Sequence, residues 1–193
     1  MAKIIGVLAV QGDFALHRKM LDKIGVSSVV VRTAEDLKNC DALIMPGGES
    51  TTFLKLLNRN NMFDDVREFA ENKPVMGTCA GLIVLAKNVV NDTFTTLSLL
   101  DISVERNGYG RQIDSFIDDV IVPVFKEKNK FSGVFIRAPR IISIGKNVEP
   151  VGFYNDEIVM VKSNNILALT FHPELTEDTR IHRYFLKEFV DKI

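Results

Sequence analysis

A cysteine in a turn of small residues is the first feature of this 193-residue chain that could do chemistry. Cys79 lies in Gly-Thr-Cys-Ala-Gly at residues 77–81, between the apolar residues 74–76 and 82–86. Small neighbours allow a sharp strand-to-helix turn that displays the central side chain, as in a Gly-x-Ser-x-Gly nucleophile elbow. The free N–H groups and dipole of a helix N-terminus favour a thiolate. We therefore interpret Cys79 as a nucleophile, with the Ala80 N–H as a donor to an oxyanion.

A base for this thiol is the next requirement, because a free cysteine is also a common buried packing residue. His172 is followed by Pro173 and Glu174. Proline favours an extended conformation in the residue before it, and residues two apart in an extended segment face the same way. Glu174 could then orient His172, which would leave one ring nitrogen free to act as the base. A turn with a solvated Glu174 is the alternative.

The two other histidines carry no predicted role. His17 lies in a helical segment, where we expect a surface or contact-face residue. His182 lies beside Arg180 and Arg183, and we expect it to be exposed.

A glycine turn, Pro-Gly-Gly-Glu-Ser at residues 46–50, could supply more backbone donors. It lacks the lysine and the length of a Walker sequence, and the chain has no Gly-x-Gly-x-x-Gly fingerprint. The N–H groups at Gly47 and Gly48 suit an oxyanion hole opposite Cys79. A turn selected only for its backbone angles is the alternative.

Two arginines follow strand-like segments. Arg106 lies in a glycine-containing loop at residues 104–112, and Arg137 follows the apolar residues 133–136. A guanidinium fork matches a carboxylate, which would suit an amino-acid substrate. An internal salt bridge is an equally common use for each arginine.

Length and composition favour a single domain over residues 1–193. With 24 Lys and Arg against 25 Asp and Glu, the net charge is -1, and no nucleic-acid partner is expected. The apolar run at residues 4–10 is too short for a membrane span and predicts a buried strand. Two cysteines give no disulfide framework or metal-ligand spacing, so we expect no metal and a cytoplasmic protein.

Apolar strands alternate with helices in the first half of the chain. Strands are predicted at residues 3–10, 28–31, 42–45 and 74–76, and helices at residues 14–24, from residue 50, and at residues 62–71. Such a pattern predicts a mostly parallel sheet with helices on both faces. Ligands bind beyond the carboxyl ends of such strands, where the turns at residues 11–13, 46–50 and 77–81 would meet.

The second half predicts shorter strands with partly antiparallel pairing, attached to the same sheet. These strands are expected at residues 102–105, 115–124, 133–136, 141–144, 151–154 and 158–162. A fully apolar strand at residues 166–170 leads to His172, and a final helix is predicted at residues 178–191. The fold class is therefore α/β, with a parallel sheet and an antiparallel extension.

In their order along the chain, the motifs around Gly47, Cys79 and His172 resemble class I, or triad, glutamine amidotransferase domains. More narrowly, residues 6–13, 106–112 and 135–139 are similar to stretches of the glutaminase subunits of pyridoxal 5'-phosphate synthases. The likeness covers essentially the whole chain. Gly108 is a departure, because alanine is more usual there, but it removes no functional group.

This resemblance implies a flavodoxin-like glutaminase fold with Cys79 as nucleophile, His172 as base and Glu174 as its orienting partner. It implies an L-glutamine substrate, no cofactor, and ammonia transfer to a separate synthase subunit. Gln11 is a candidate for linkage to that partner. Because free ammonia release would waste glutamine, we expect weak activity without the synthase, with the Gly47–Gly48 peptide misoriented. The implied glutamine contacts come from Gly47, Gly48, Glu49, Arg106, Ile136 and Arg137.

Two other functions remain open at this point. A cysteine hydrolase or peptidase on a similar sheet would also use an elbow cysteine and a histidine. A non-catalytic regulatory subunit with a relic site is the second, although the complete set of Cys79, His172 and Glu174 argues against it.

Overall fold

The computed structural model describes residues 3–110 and 115–192. Their strands form a nine-stranded sheet and a three-stranded sheet. The strands are β1 (Ile5–Leu8), β2 (Ser28–Val31), β3 (Ala42–Met45), β4 (Val75–Thr78), β5 (Ala86–Val89), β6 (Leu100–Glu105), β7 (Ser115–Ile121), β8 (Lys130–Ile136), β9 (Arg140–Ile144), β10 (Glu149–Tyr154), β11 (Glu157–Ser163) and β12 (Ile166–Leu169).

Helices connect and cover these strands. The α-helices are α1 (Phe14–Lys23), α2 (Ala34–Lys38), α3 (Ser50–Arg59), α4 (Phe63–Asn72), α5 (Ala80–Leu85) and α6 (Arg180–Phe185). Two 3-10 helices occupy Pro123–Lys128 and Pro173–Leu175, and a π-helix at Leu186–Val190 continues α6. Among the residues that the structure describes, no helix is both long enough and apolar enough to cross a membrane.

The large sheet has the order β2-β1-β3-β4-β12-β11-β10-β7-β8. The first five strands pair in parallel, as the alternation of strands and helices predicted. Strands β1, β3, β4 and β12 are buried along their full length, because helices cover both faces. From β11 onward the pairing is antiparallel, which confirms the predicted extension.

Two of the second-half strands do not join this sheet, contrary to expectation. Strand β6 pairs in parallel with β5 and antiparallel with β9, and the three form the small sheet. Strand β5 was not predicted, because the apolar residues 82–86 were interpreted as the start of a helix and no strand was expected at residues 87–89. Every residue of α5 is buried, so its apolar run has no polar face from which periodicity could locate its end.

Other element boundaries have local causes. Strand β7 ends at Ile121, shortly before Pro123, whose ring nitrogen cannot donate to a sheet. Helix α2 was not predicted, although its capping box was readable: the Thr33 side chain accepts from the Asp36 N–H, and Asp36 accepts from the Thr33 N–H. The final helix begins at Arg180, two residues later than predicted, and widens to a π-helix from Leu186.

Candidate active site

Cys79 occupies a strained turn between β4 and α5. Its φ of 47° and ψ of -102° lie in a region that non-glycine residues rarely adopt. Its N–H donates to the Leu169 carbonyl of β12 at 2.9 Å, which fixes the turn to the sheet. The flanking glycines are sterically required, because a Cβ on Gly77 would overlap Gly81 and Leu85, and a Cβ on Gly81 would overlap the Met45 carbonyl. This is the predicted elbow.

His172 and Glu174 lie at the end of the neighbouring strand, β12. His172 Nδ1 and Glu174 Oε1 are 2.7 Å apart, and both residues are buried. The backbone N–H of His172 donates to the Val134 carbonyl at 2.9 Å, which fixes the main chain, while Glu174 fixes the ring. Burial by itself lowers the pKa of His172. Hydrogen bonds with the Cys79 sulfur and with Glu174 outweigh this effect and raise the pKa to about 10. This environment favours an imidazolium beside the sulfur.

Glu174 is an ionised carboxylate inside the protein. Burial by itself raises its pKa, but the neighbouring His17 imidazole and the hydrogen bond with His172 lower it to about 2. Its second oxygen, Oε2, lies 3.4 Å from His17 Nε2. The alternative of a solvated Glu174 is therefore wrong.

His17 and His182 are both fully buried, so the expectation of an exposed His182 is wrong. His17 lies on the inward face of α1, and its Nδ1 is 3.0 Å from His182 Nε2. Its Nε2 is 3.3 Å from Oγ1 of Thr78, the residue before the nucleophile. The charged neighbours Arg180 and Arg183 suggested a solvated segment, but α6 turns His182 toward the core.

The predicted oxyanion turn packs against the base. A Cβ on Gly47 would overlap the His172 imidazole, so glycine is needed there for the ring to keep its place. Gly48 has a φ of +137°, which is open to glycine and strained for other residues. Gln11 lies against Gly48, and its Nε2 donates to the Glu49 carbonyl at 2.7 Å. Gln11 therefore contacts the turn that would bind the oxyanion.

Glu49 caps α3 and also faces Arg106. Its carboxylate accepts from the Thr51 N–H at 3.1 Å and the Thr52 N–H at 2.7 Å. Burial raises the pKa of this carboxyl, but hydrogen bonds from the side chains and then the backbone N–H groups of Thr51 and Thr52 lower it to about 2. Arg106 forms ion pairs with Glu49 at 3.0 Å and Asp92 at 3.3 Å. The internal salt bridge considered for Arg106 is thus present, on the wall of the site.

These groups surround one cavity of about 150 Å³. Strand β8 contributes Ile136, whose carbonyl lies 3.9 Å from Cys79 Sγ, and Arg137 follows it with a φ of 40°. The last two residues of the motif at 106–112 lie outside the described residues. Predicted site residues on the cavity wall are Gly48, Glu49, Cys79, Arg106, Ile136, Arg137 and His172.

The remaining predicted residues lie just behind this wall. Glu174 orients His172, Gly47 packs on its ring, and Gln11 supports Gly48. Ala80 is buried and opens α5 directly after the nucleophile. The structure thus brings every predicted site residue to one edge of the sheet.

Four cavity residues were not predicted: Asp13, Ser50, Ile83 and Asn107. Asp13, Ser50 and Asn107 lie within turns or loops that the sequence had placed near the site, so their positions were a usable signal. Ser50 Oγ is buried and has no hydrogen-bond partner among the described residues. Within the same residues, no cluster of three or more His, Cys, Asp or Glu side chains could hold a metal.

Comparison with known proteins gives a consistent family assignment. The model of the SNO glutamine amidotransferase family matches residues 7–191. A relative from Thermosipho africanus, named pyridoxal 5'-phosphate synthase subunit PdxT, is 49% identical over 183 residues, covering 94% of this chain and 96% of the relative. The protein of the same name from Thermotoga maritima is 50% identical over 184 residues, covering 95% of this chain and 97% of the relative.

A solved structure supports the same assignment. A crystal structure titled as a glutamine amidotransferase superposes with a TM-score of 0.88 at 45% sequence identity, over 95% of this chain and 97% of that one. This likeness confirms the expected α/β glutaminase fold with a mostly parallel central sheet and antiparallel strands. The chain belongs to the SNO glutamine amidotransferase family.

Proposed function

We propose that this protein hydrolyses L-glutamine to L-glutamate and ammonia and delivers the ammonia to the synthase subunit of a pyridoxal 5'-phosphate (vitamin B6) synthase. The observation that carries the proposal is the contiguous set of Cys79, His172 and Glu174 at the cavity. Family membership supports the use of glutamine, and the name of the PdxT relatives supports the identity of the partner.

His172 holds the proton of the Cys79 thiol before glutamine is attacked, because its environment favours an imidazolium beside the sulfur. Glu174 holds the ring through Nδ1, so Nε2 faces the sulfur and receives the proton. The thiolate then attacks the side-chain amide carbon of glutamine. The raised pKa of His172 keeps the transferred proton on the ring until the leaving group needs it.

Backbone donors stabilise the charge that develops on the amide oxygen. The Ala80 N–H follows the nucleophile directly, and the Gly47–Gly48 turn lies against the base on the opposite side. Donors fixed in a buried site stabilise an oxyanion more than water does, because they need no reorganisation during the reaction.

Collapse of the tetrahedral intermediate breaks the carbon–nitrogen bond. His172 gives its proton to the departing nitrogen, which leaves as ammonia, and a glutamyl thioester remains on Cys79. Water, deprotonated by His172, then attacks the thioester. Glutamate leaves and the thiol is restored.

The two charged ends of free glutamine have complementary groups in the cavity. Arg106 and Arg137 suit the α-carboxylate, and the ionised Glu49 suits the α-ammonium group. The Gly47, Gly48 and Ile136 backbone would contact the side-chain amide near the sulfur. A site that holds both ends of a free amino acid fits glutamine better than an internal peptide residue.

We also propose that residues 1–193 form one glutamine amidotransferase domain and that the protein is cytoplasmic. The sheet runs through the chain from β1 to β12, which supports one unit. The two cysteines, Cys40 and Cys79, are both free and buried, which suits a reducing compartment.

The decisive experiment measures glutamate release by the Cys79→Ala variant mixed with the synthase subunit. We expect no detectable turnover, because no other group at the cavity can form the thioester. Cys40→Ala is the matched control, since Cys40 is buried beside α2 and burial raises its thiol pKa to about 11. It should keep wild-type turnover, and a thiol-alkylating glutamine analogue should modify Cys79 alone. An active Cys79→Ala protein would refute the proposed mechanism.

A further inference from the structure

Two buried histidines behind the triad have no part in the mechanism above. His17 comes from α1 and His182 from α6, and both side chains are completely buried. Burial lowers the pKa of both imidazoles, to about 3 for His182. Both rings are therefore neutral at ordinary pH, and each has one protonated and one unprotonated nitrogen.

The neighbours of the four ring nitrogens determine where the two protons lie. His17 Nε2 faces Glu174 Oε2 at 3.4 Å and Thr78 Oγ1 at 3.3 Å. His17 Nδ1 faces His182 Nε2 at 3.0 Å, and His182 Nδ1 has no partner among the described residues. An N–H on His17 Nε2 would donate to the Thr78 hydroxyl and lie beside Glu174 Oε2, which has no hydrogen-bond partner among the described residues. His17 Nδ1 would then accept from an N–H on His182 Nε2.

The opposite pair of tautomers is unfavourable at both ends. A lone pair on His17 Nε2 would face Glu174 Oε2 at 3.4 Å, and this oxygen already has no hydrogen-bond partner among the described residues. The His182 Nδ1–H would be a buried donor without an acceptor. A buried charged acceptor and a buried donor left unpaired are both costly.

We propose that His17 and His182 are positioning residues for the glutaminase triad. Both are neutral Nε2–H tautomers, and together they form a histidine chain in which His182 donates to His17 and the His17 Nε2–H lies 3.4 Å from Glu174 Oε2. This inference rests on the proposed function of the triad. His17 touches neither the cavity nor the reacting atoms, and it acts through Glu174.

The chain fixes the carboxylate that orients the base. His172 Nδ1 holds Glu174 Oε1 at 2.7 Å, and the His17 Nε2–H facing Oε2 at 3.4 Å opposes rotation of the carboxylate about its last bond. The same imidazole contacts Thr78, the last residue of β4 before the nucleophile. His17 thereby links the strand that carries Cys79 to the segment that carries Glu174.

Few titratable groups face the two histidines. Glu174, His172 and Asp13 face His17, and His17 and Glu174 face His182. His17 and His172 in turn face Glu174. An ion pair of Lys23 and Glu177 joins the end of α1 to the segment after the 3-10 helix.

The first test uses the unmodified protein and needs no activity. The chain has only three histidines, so nitrogen NMR of 15N-histidine-labelled protein resolves each ring. We expect His17 and His182 both to show a protonated Nε2 and an unprotonated Nδ1 at about pH 7, and His182 to keep this state down to about pH 5. A protonated Nδ1 on either ring at about pH 7, or titration of His182 above about pH 5, would overturn the proposal.

The second test compares His17→Leu with His17→Gln in the glutaminase assay with the synthase subunit. Leucine removes the donor to Glu174, and we expect roughly a tenfold to hundredfold lower kcat with the KM for glutamine unchanged. The acid limb of the kcat/KM profile should move to higher pH, because burial then raises the pKa of Glu174. The glutamine amide offers both a donor and an acceptor and should restore most of the activity. Equal losses in both variants would instead indicate a packing role.

A double-mutant cycle distinguishes positioning from general destabilisation. In a Glu174→Gln background, His17→Leu should change kcat little, because the residue through which it acts is already altered. Independent, additive losses would contradict the proposal. If Cys79→Ala proved active, the proposed mechanism would fail while the NMR result would still decide the histidine tautomers.

Discussion

At the scale of single residues, each oxygen of Glu174 has its own histidine. Oε1 holds the ring of the base, and Oε2 faces the buried ring of His17. The local sequence explains the first contact, since His172 and Glu174 are two residues apart. The second contact comes from a helix near the other end of the chain. Protonation of this buried cluster should therefore affect folding stability.

His182 makes a specific contribution to acid sensitivity. Burial, reinforced by His17 and opposed by Glu174, lowers its pKa from 6.5 to about 3. Below pH 6.5 the unfolded chain binds a proton at this position and the folded chain does not, so stability falls as the pH falls. Glu174 adds its own loss only below its ordinary value of 4.5.

The variant His182→Gln should reduce this pH dependence. The slope of the free energy of unfolding against pH is proportional to the number of protons taken up on unfolding. Between pH 4.5 and 6.5 that number should fall by up to about one in the variant, because the titrating group is gone. Urea unfolding at a series of pH values measures the slope. If the slope equals that of the wild type, His182 is not a buried neutral base.

At the scale of elements, the elbow depends on how closely α5 approaches β3. Helix α5 has only six residues and is too short to be stable by itself. Its position is set by packing, and Gly81 lets its first turn lie directly on the Met45 carbonyl. The same close approach places Cys79 at the end of β4.

Replacing Gly81 by alanine should displace this helix. The new Cβ would overlap backbone, which cannot rotate away, so we expect destabilisation of about 1–3 kcal/mol and a large loss of glutaminase activity. Thermal unfolding and glutamate release measure the two effects. Gly25→Ala is the control: its φ of +73° carries backbone strain, but its Cβ meets open space far from the elbow. Similar activity losses in both variants would contradict this account.

At the scale of the whole molecule, the glutaminase is expected to work as one subunit of a larger enzyme. The Gly47–Gly48 turn has no side chains to restrain it, and Gly48 tolerates a φ of +137° that other residues would not. Gln11 holds the adjacent Glu49 carbonyl at 2.7 Å. A docked partner that reached this turn could therefore change its orientation at low cost.

The purified chain should release glutamate slowly, and addition of the synthase subunit should raise kcat. The reason is that the donors to the oxyanion would be aligned only in the complex. Initial rates at increasing synthase concentration give the activation and its saturation. The variant Gln11→Ala should weaken this activation by the synthase, because Gln11 holds the Glu49 carbonyl beside the turn. Full turnover by the isolated chain would contradict partner dependence.

The sequence by itself determined the features that depend on neighbouring residues. The elbow around Cys79, the pair of His172 and Glu174, and the glycine turn at Gly47 are short motifs whose geometry follows from small residues and proline. The parallel half of the sheet followed from apolar strands alternating with helices. Because the carboxyl ends of such strands share one edge, the meeting of these motifs could also be predicted.

Only the tertiary structure decided the features that join distant segments. His17 and His182 are separated by 165 residues, and nothing in their local sequence distinguishes a buried hydrogen-bonded pair from two solvated rings. Strands β6 and β9 formed their own sheet with β5, because pairing is set by long-range packing and strand patterns alone do not specify partners. Residue type and spacing thus defined the reacting groups, while packing across the sheet selected the groups that hold them.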